Sequence, residues 1–268
     1  MDNHNVKKIW NEWSETWYQK YRTDQAISKI IDNPETAFHH TTYAMLKKGL
    51  PCLKGKRICV PSSGDNHAVF ALHLMGASVT SVDISERQLE HSAAIANKYG
   101  WDIEFICDDT MELSKINSSE YDFVYTSNGV HVWIHDLNAM YQNIHRILKD
   151  NGIYLMYELH PFNRLFGNDT EKITVVKPYH ATGPIIIENV PRYTWRMQDI
   201  MNAMITSGLY MNHIEEMYAE DGSFWVDEHV DGENILSKEK LDQLCNWKSN
   251  PMAALPQWLS MKATKLSQ

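Results

Sequence analysis

No run of about 18 apolar residues occurs in the 268-residue sequence, so nothing in it reads as a membrane-spanning helix. Residues 1–13 are polar and charged and lack the apolar core of a secretory leader. Cysteine is scarce. Cys52, Cys59, Cys107 and Cys245 lie far apart with no Cys-x-x-Cys pair, and Cys59 and Cys107 fall at the ends of expected buried strands, where a free thiol behaves as a small apolar group. A reducing cytoplasm is the expected setting. Basic charge is also in deficit: 25 Lys and Arg stand against 34 Asp and Glu, a net charge of −9. That balance opposes a long phosphate-contacting surface, so neither nucleic acid nor a membrane is an expected partner. The thirteen histidines form no His-Glu-x-x-His or His-x-His spacing, and no metal is expected. Internal repeats and low-complexity tracts are missing as well.

With 43% hydrophobic and 22% charged residues, the chain has the composition of a globular protein with one sizeable core. Trp10, Trp13, Trp17 and Tyr21 recur at spacings of three and four, which predicts an amphipathic helix over residues 5–22. A second helix is expected from an Asn33 cap and Pro34 to the stop at Gly49-Leu50-Pro51. From Lys56 strands and helices alternate, which predicts a parallel sheet covered on both faces. The strands read are 57–60, 79–82, 103–106, 123–126 and 153–158. Between them, a helix over 66–75 stops at Gly76, Ser85-Glu86-Arg87-Gln88 is a capping box for a helix ending at Gly100, and Asp136 caps a helix with Leu137, Met140, Ile144 and Leu148 as its buried stripe. Residues 160–195, rich in proline and glycine, read as an irregular insertion over the carboxyl edge of the sheet. One more helix is expected over 199–207. Strands over 211–217 and 257–262 follow, joined by an acidic loop too polar to be core. The division is thus a helical lid, 1–50, on an α/β domain, 51–268.

Residues 57–85 carry the most chemistry. A short apolar strand runs into the turn Pro61-Ser62-Ser63-Gly64-Asp65, a helix follows, and a second apolar strand ends on Asp83. This is the layout of a βαβ nucleotide site, although no Gly-x-Gly-x-x-Gly can be read in the turn. A carboxylate ending an apolar strand is costly unless something binds it. Asp83 either accepts the hydroxyls of a ribose or shares a helix-capping role with Ser85.

The ordering and motifs resemble the class I S-adenosylmethionine-dependent methyltransferases, closely over about residues 56–160 and loosely over the last hundred. The resemblance implies a Rossmann-like methyltransferase fold: a mostly parallel seven-stranded sheet with an antiparallel last strand, helices on both faces and an N-terminal helical lid. It implies S-adenosylmethionine as cofactor. On that reading Pro61, Ser62, Ser63, Gly64 and Asp65, with Asn66, wrap the methionine part of the cofactor. Asp83, with Ile84 and Gln88 beside it, serves the ribose. Asp109-Thr110-Met111 receives the adenine, Asp108 being the alternative carboxylate. Ser127, Asn128 and Gly129 border the sulfonium. The chain departs from the family pattern at Cys59, where an acid is usual, and at Pro61, Ser63 and Asp65, where glycines are usual. Asp65 either answers the cofactor ammonium or caps the helix beginning near Asn66.

On the acceptor side, His131 and His160, just past the fourth and fifth strands, and Tyr18 are the catalytic candidates. Trp17, Tyr21, Trp133, Tyr193 and Trp195 are candidate substrate walls, joined by Tyr157 and Phe162. The stripe from Trp10 to Tyr21 is either a lid over the cofactor or plain helix packing. The activity expected is methyl transfer to a small or medium organic acceptor. Two alternatives remain open. A nicotinamide-dependent oxidoreductase would share the ribose carboxylate but need glycines at the close-approach positions. A degenerate, non-catalytic cofactor-binding or interaction domain would explain the altered turn.

Overall fold

The computed structural model describes residues 3–167, 171–226 and 236–267. Among the described residues nine strands run in chain order: β1 Arg57–Pro61, β2 Ser78–Asp83, β3 Ile103–Cys107, β4 Tyr121–Thr126, β5 Leu148–Leu159, β6 Ile185–Ile187, β7 Val190–Arg192, β8 Leu209–Met217 and β9 Trp258–Lys265. Seven of them form one sheet in the order β3-β2-β1-β4-β5-β9-β8, parallel except for β9, which runs antiparallel to both neighbours. The expected Rossmann-like architecture is present. Side chains alternate across it with the period of a strand. Ile58, Val60, Phe123, Tyr125 and Leu155 enter one core, while Cys59, Val124, Tyr154 and Met156 enter the other.

The helices are α1 His4–Glu15, α2 Asp24–Asp32, α3 His40–Gly49, α4 His67–Leu74, α5 Glu86–Tyr99, α6 Leu137–Ile147, α7 Met197–Thr206 and α8 Lys238–Leu244. Helix α4 fills the first core with Val69, Phe70 and Leu72, aided by Met45 and Leu46 of α3. Helices α6 and α7 fill the second with Met140, Ile144, Ile200 and Met204. The punctuation is local: Ser85 Oγ accepts Gln88 N–H at 3.2 Å, Gly100 closes α5 in the left-handed region, and Asp136 Oδ1 accepts Ala139 N–H at 3.0 Å.

The amino-terminal region differs from the two helices expected. The first stops at Glu15, Thr16 leaves helical backbone, and Trp17–Arg22 continues as a 3-10 helix. Long-range bonding explains the break. The Ser14 carbonyl, which a continuing helix would satisfy, instead accepts Arg22 Nη1 at 2.7 Å, and Ser14 Oγ accepts Arg22 Nη2 at 2.7 Å. An additional helix, α2, begins at a Thr23 cap that accepts Ala26 N–H at 3.2 Å. The segment expected as one helix from Pro34 to Gly49 is split: Pro34–Ala37 is a 3-10 helix and Phe38 is extended, its ring buried 5.5 Å from Tyr125. Helix α3 then starts after His39, whose Nδ1 accepts Thr41 N–H at 3.3 Å.

The insertion contains a hairpin, β6–β7, turned by Glu188 and Asn189 at positive φ; residues 168–170 of that expectation lie outside the described residues. The late acidic loop, too polar by composition to be core, does contribute buried residues. It carries α8, and it buries Asn250, Met252 and Ala253; its residues 227–235 lie outside the described residues.

Candidate active site

Strand β1 ends at Pro61, and the next five residues turn sharply. Ser62, Gly64 and Asn66 all adopt positive φ, of 51°, 56° and 63°. Only one is the glycine such backbone favours, so side chains must hold the rest. Ser81 Oγ donates to Asn66 Oδ1 at 2.5 Å and lies 2.9 Å from Ser63 Oγ, while Asn66 Nδ2 donates to the Gly64 carbonyl at 2.9 Å. The hydroxyls of Ser62 and Thr110 meet at 2.7 Å. Ser63 and Asn66 therefore face inward and support the turn from below. A Cβ built on Gly64 would meet nothing within 4 Å, so open space lies over the turn.

Asp83 closes β2 with only 5% of its surface exposed. Its Oδ2 accepts Gly64 N–H at 3.0 Å and its Oδ1 accepts Ser85 N–H at 2.9 Å. Burial pushes its carboxyl up to about 6, against the pull of those backbone N–H groups. The Ile84 N–H also acts on this carboxylate, and of its roughly four lone-pair positions some acceptor capacity remains for a hydroxyl donor. Ser85, not Asp83, caps α5.

Asp109 accepts Met111 N–H at 2.8 Å on Oδ1 and the side-chain amide of Asn3 on Oδ2. Asp108 instead binds its own loop, accepting Lys115 N–H at 2.8 Å and Asp109 N–H at 2.9 Å. Of the two, Asp109 faces the space over the sheet.

That space is a cavity of about 480 Å³ at the carboxyl edge. Its floor is Ser62, Gly64, Asp65, Asp83, Ile84, Asp109, Thr110, Met111, Ser127, Asn128 and Gly129. Trp10, Trp13, Trp17, Tyr18 and Tyr21 roof it, and Trp133, Tyr125 and Tyr157 wall it. The tryptophan roof is one cluster: Trp133 lies 5.5 Å from Trp10 and 5.6 Å from Trp13, with the Arg192 guanidinium of β7 over its ring.

Other expected site residues lie outside this lining. Pro61 is buried in β1, and Gln88 joins Ser14 Oγ (3.3 Å) and Arg22, tying α5 to the roof. Tyr193 and Trp195 stack on each other at 5.6 Å behind Trp133; Tyr193 N–H donates to the Val132 carbonyl and Trp195 Nε1 to that of Ile134. His131 is buried with its Nε2 2.7 Å from Tyr141 Oη and its N–H on Glu158. His160 is fully buried, accepting Phe162 N–H on Nδ1 and facing Glu216 at 2.8 Å. Burial lowers the pKa of both histidines, which brace strand ends away from the cavity. Tyr18 does reach it; burial, with the charges of Asp65 and Asp83, holds its phenol well above the usual range. Sequence reasoning missed Asn3 and His67, both in the lining. Among the described residues one potential metal-donor group occurs, His39, His40 and Glu220, with donor atoms within 4.8 Å of one another, outside the cavity.

The methyltransferase-domain family matches residues 62–152, the span from the turn to the start of β5. An uncharacterized methyltransferase of Bacillus subtilis is 24% identical over 198 residues, covering 69% of this chain and 76% of its own. The sterol 24-C-methyltransferase of Pneumocystis carinii is 25% identical over 263 residues, 93% of this chain but 65% of that protein. The crystal structure of an S-adenosylmethionine-dependent methyltransferase from Mesorhizobium loti superposes with a TM-score of 0.60 at 21% identity, covering 83% of this chain and 96% of that one. Residues 62–152 carry a methyltransferase domain, and the relatives support the class I S-adenosylmethionine-dependent methyltransferase family.

The methyltransferase's own residues fit the cofactor its family uses. Asp83 keeps acceptor capacity at a site where its charge is otherwise poorly solvated, and the space above Gly64 is open. Asp109 sits in the same cavity as a second carboxylate able to accept an amino group. Among the described residues no helix is long and apolar enough to cross a membrane.

Proposed function

We propose that this methyltransferase moves the methyl group of S-adenosylmethionine to a small or medium organic acceptor with an apolar surface and no anionic group. Bound in the cavity, the cofactor supplies a methyl group already activated on a sulfonium. The chain must bind it, align a nucleophile with the carbon–sulfur bond and exclude water. Asp83 serves the ribose hydroxyls and Asp109 the adenine amino group. The roof from Trp10 to Tyr21 excludes solvent.

The lining carries the acceptor assignment. Its acceptor-facing surfaces are aromatic, from Trp17, Tyr18, Tyr21, Tyr125 and Tyr157, and among the described residues no lysine or arginine lines the cavity. A carboxylate or phosphate acceptor would be buried without a counter-charge beside Asp65 and Asp83, which is costly. The sterol-methylating relative, by its name, also takes an apolar acceptor. The free thiols suit a reducing cytoplasm.

Calorimetry with S-adenosylmethionine, S-adenosylhomocysteine and NAD tests the cofactor. The first two are expected to bind and NAD to give no heat; NAD binding in their place would overturn the reading. Release of S-adenosylhomocysteine over paired neutral and carboxylated phenols tests the acceptor class, and turnover confined to the carboxylated members would contradict it.

A further inference from the structure

His67 opens α4 immediately after the cofactor turn and is one of the residues that line the cavity. Two contacts fix it. Its backbone N–H donates to Asp65 Oδ1 at 2.9 Å, and its Nε2 lies 2.7 Å from the Tyr21 carbonyl oxygen. A carbonyl oxygen only accepts, so in the neutral ring Nε2 carries the hydrogen and Nδ1 the lone pair. Among the described residues nothing bonds to Nδ1. Because the fixing carbonyl belongs to the 3-10 helix of the roof, the tautomer is set when that roof is docked. Tyr21 also meets the imidazole edge-on, with ring centroids 5.7 Å apart.

We propose that His67 is the general base of this methyltransferase, taking through Nδ1 the proton of a neutral hydroxyl or amine acceptor. The assignment rests on the methyl-transfer reading above. As the acceptor oxygen or nitrogen forms its bond to the methyl carbon, the carbon–sulfur bond breaks with its electron pair left on sulfur. The acceptor proton goes to Nδ1. Positive charge thus disappears from the sulfonium and appears on the imidazolium, and the cavity's net charge is unchanged through the step. The proton then leaves to solvent.

The groups around His67 favour this course. Asp65 on the same turn and Asp83 on β2 are the carboxylates that share this part of the lining. On the roof, Tyr18 and Tyr21 are the titratable neighbours in the lining, and Tyr18 is kept protonated by burial and by those same carboxylates. Arg22 is turned away, onto Ser14 and Gln88. Tyr125 and Tyr157, on β4 and β5, are likewise held protonated by burial. His131 and His160 do not reach the lining.

The test uses the full chain saturated with S-adenosylhomocysteine, histidine-labelled with ¹⁵N, and 4-nitrophenol as a neutral acceptor probe. Long-range proton–nitrogen spectra are expected to show His67 with hydrogen on Nε2 and a bare Nδ1. Adding the phenol should move Nδ1 toward the hydrogen-bonded or protonated position and lower the pH at which the bound phenol ionises. His67→Gln should keep S-adenosylhomocysteine affinity within about twofold while abolishing the phenol's ionisation shift and slowing methyl transfer at least about 10²-fold, the usual scale of a lost general base. A ring with hydrogen on Nδ1, an Nδ1 that ignores the phenol, or an unchanged ionisation shift in His67→Gln would overturn the assignment. Failure of S-adenosylhomocysteine to bind would instead overturn the methyl-transfer reading.

Discussion

Asp83, sealed at the end of an apolar strand, is a poorly solvated carboxylate in the free protein. Its folded pKa of about 6 exceeds the ordinary 3.8, so the free folded protein holds this proton more tightly than the unfolded chain. For the free protein, its stabilising contribution is present below the unfolded pKa and is lost as pH rises through about 6. Cofactor binding has the opposite sign, because ribose hydroxyls donate to the ionised form. The thermal shift given by saturating S-adenosylhomocysteine should therefore be larger at pH about 7.5 than at pH about 5. A flat or reversed dependence would count against the ribose role. Asp65 separates into two jobs, since one oxygen caps His67 N–H. Asp65→Asn keeps an acceptor for the cap and removes the charge. If the carboxylate answers the cofactor ammonium, the variant should weaken S-adenosylhomocysteine about tenfold and leave a deaminated analogue unaffected; equal losses would leave Asp65 as a cap alone. Asp83 was legible in the sequence because an acid ending an apolar strand is anomalous by itself. His67 was not, because the first residue of a helix has no periodic signal and its meaning comes from a carbonyl 46 positions away.

At the level of elements, the roof is the part that sequence periodicity blurred. The aromatic spacing from Trp10 to Tyr21 satisfies one continuous helix, and nothing local marks the break at Thr16. The break is made by Arg22 reaching back to Ser14 and across to Gln88, contacts invisible to a window of neighbouring residues. Phe38, buried against Tyr125, divides the second helix in the same way. The strands were legible because their apolar runs and the stops between them are local features. If the Arg22 network docks the roof, Arg22→Ala should cost about 1–2 kcal/mol of roof docking, given that its bonds to Ser14 and Gln88 are only partly buried. Limited proteolysis should then cut within residues 1–24 faster than in the parent, with S-adenosylhomocysteine slowing the cut. Deleting residues 1–24 should abolish turnover more than it lowers Tm, because the sheet has its own two cores. Full activity in the truncated protein would refute the lid.

For the whole molecule, the sheet order β3-β2-β1-β4-β5-β9-β8 brings the carboxyl ends of β1, β2 and β4 and the loop after β3 under one aromatic roof. The turn has a single glycine, and a serine–asparagine network under it holds its positive-φ residues in place. If Asp83 receives the ribose of S-adenosylmethionine, a thermodynamic cycle will expose the contact. Calorimetric affinities would be measured for S-adenosylhomocysteine and its dideoxyribose analogue on the parent protein and on Asp83→Ala. Losing the charged partner or the hydroxyls should each weaken binding by roughly 1.5–3 kcal/mol, about ten- to a hundredfold. Losing both should cost little more than losing either, because the same hydrogen bonds are removed. Strictly additive losses, or an Asp83→Ala protein that binds S-adenosylhomocysteine as tightly as the parent, would contradict the account.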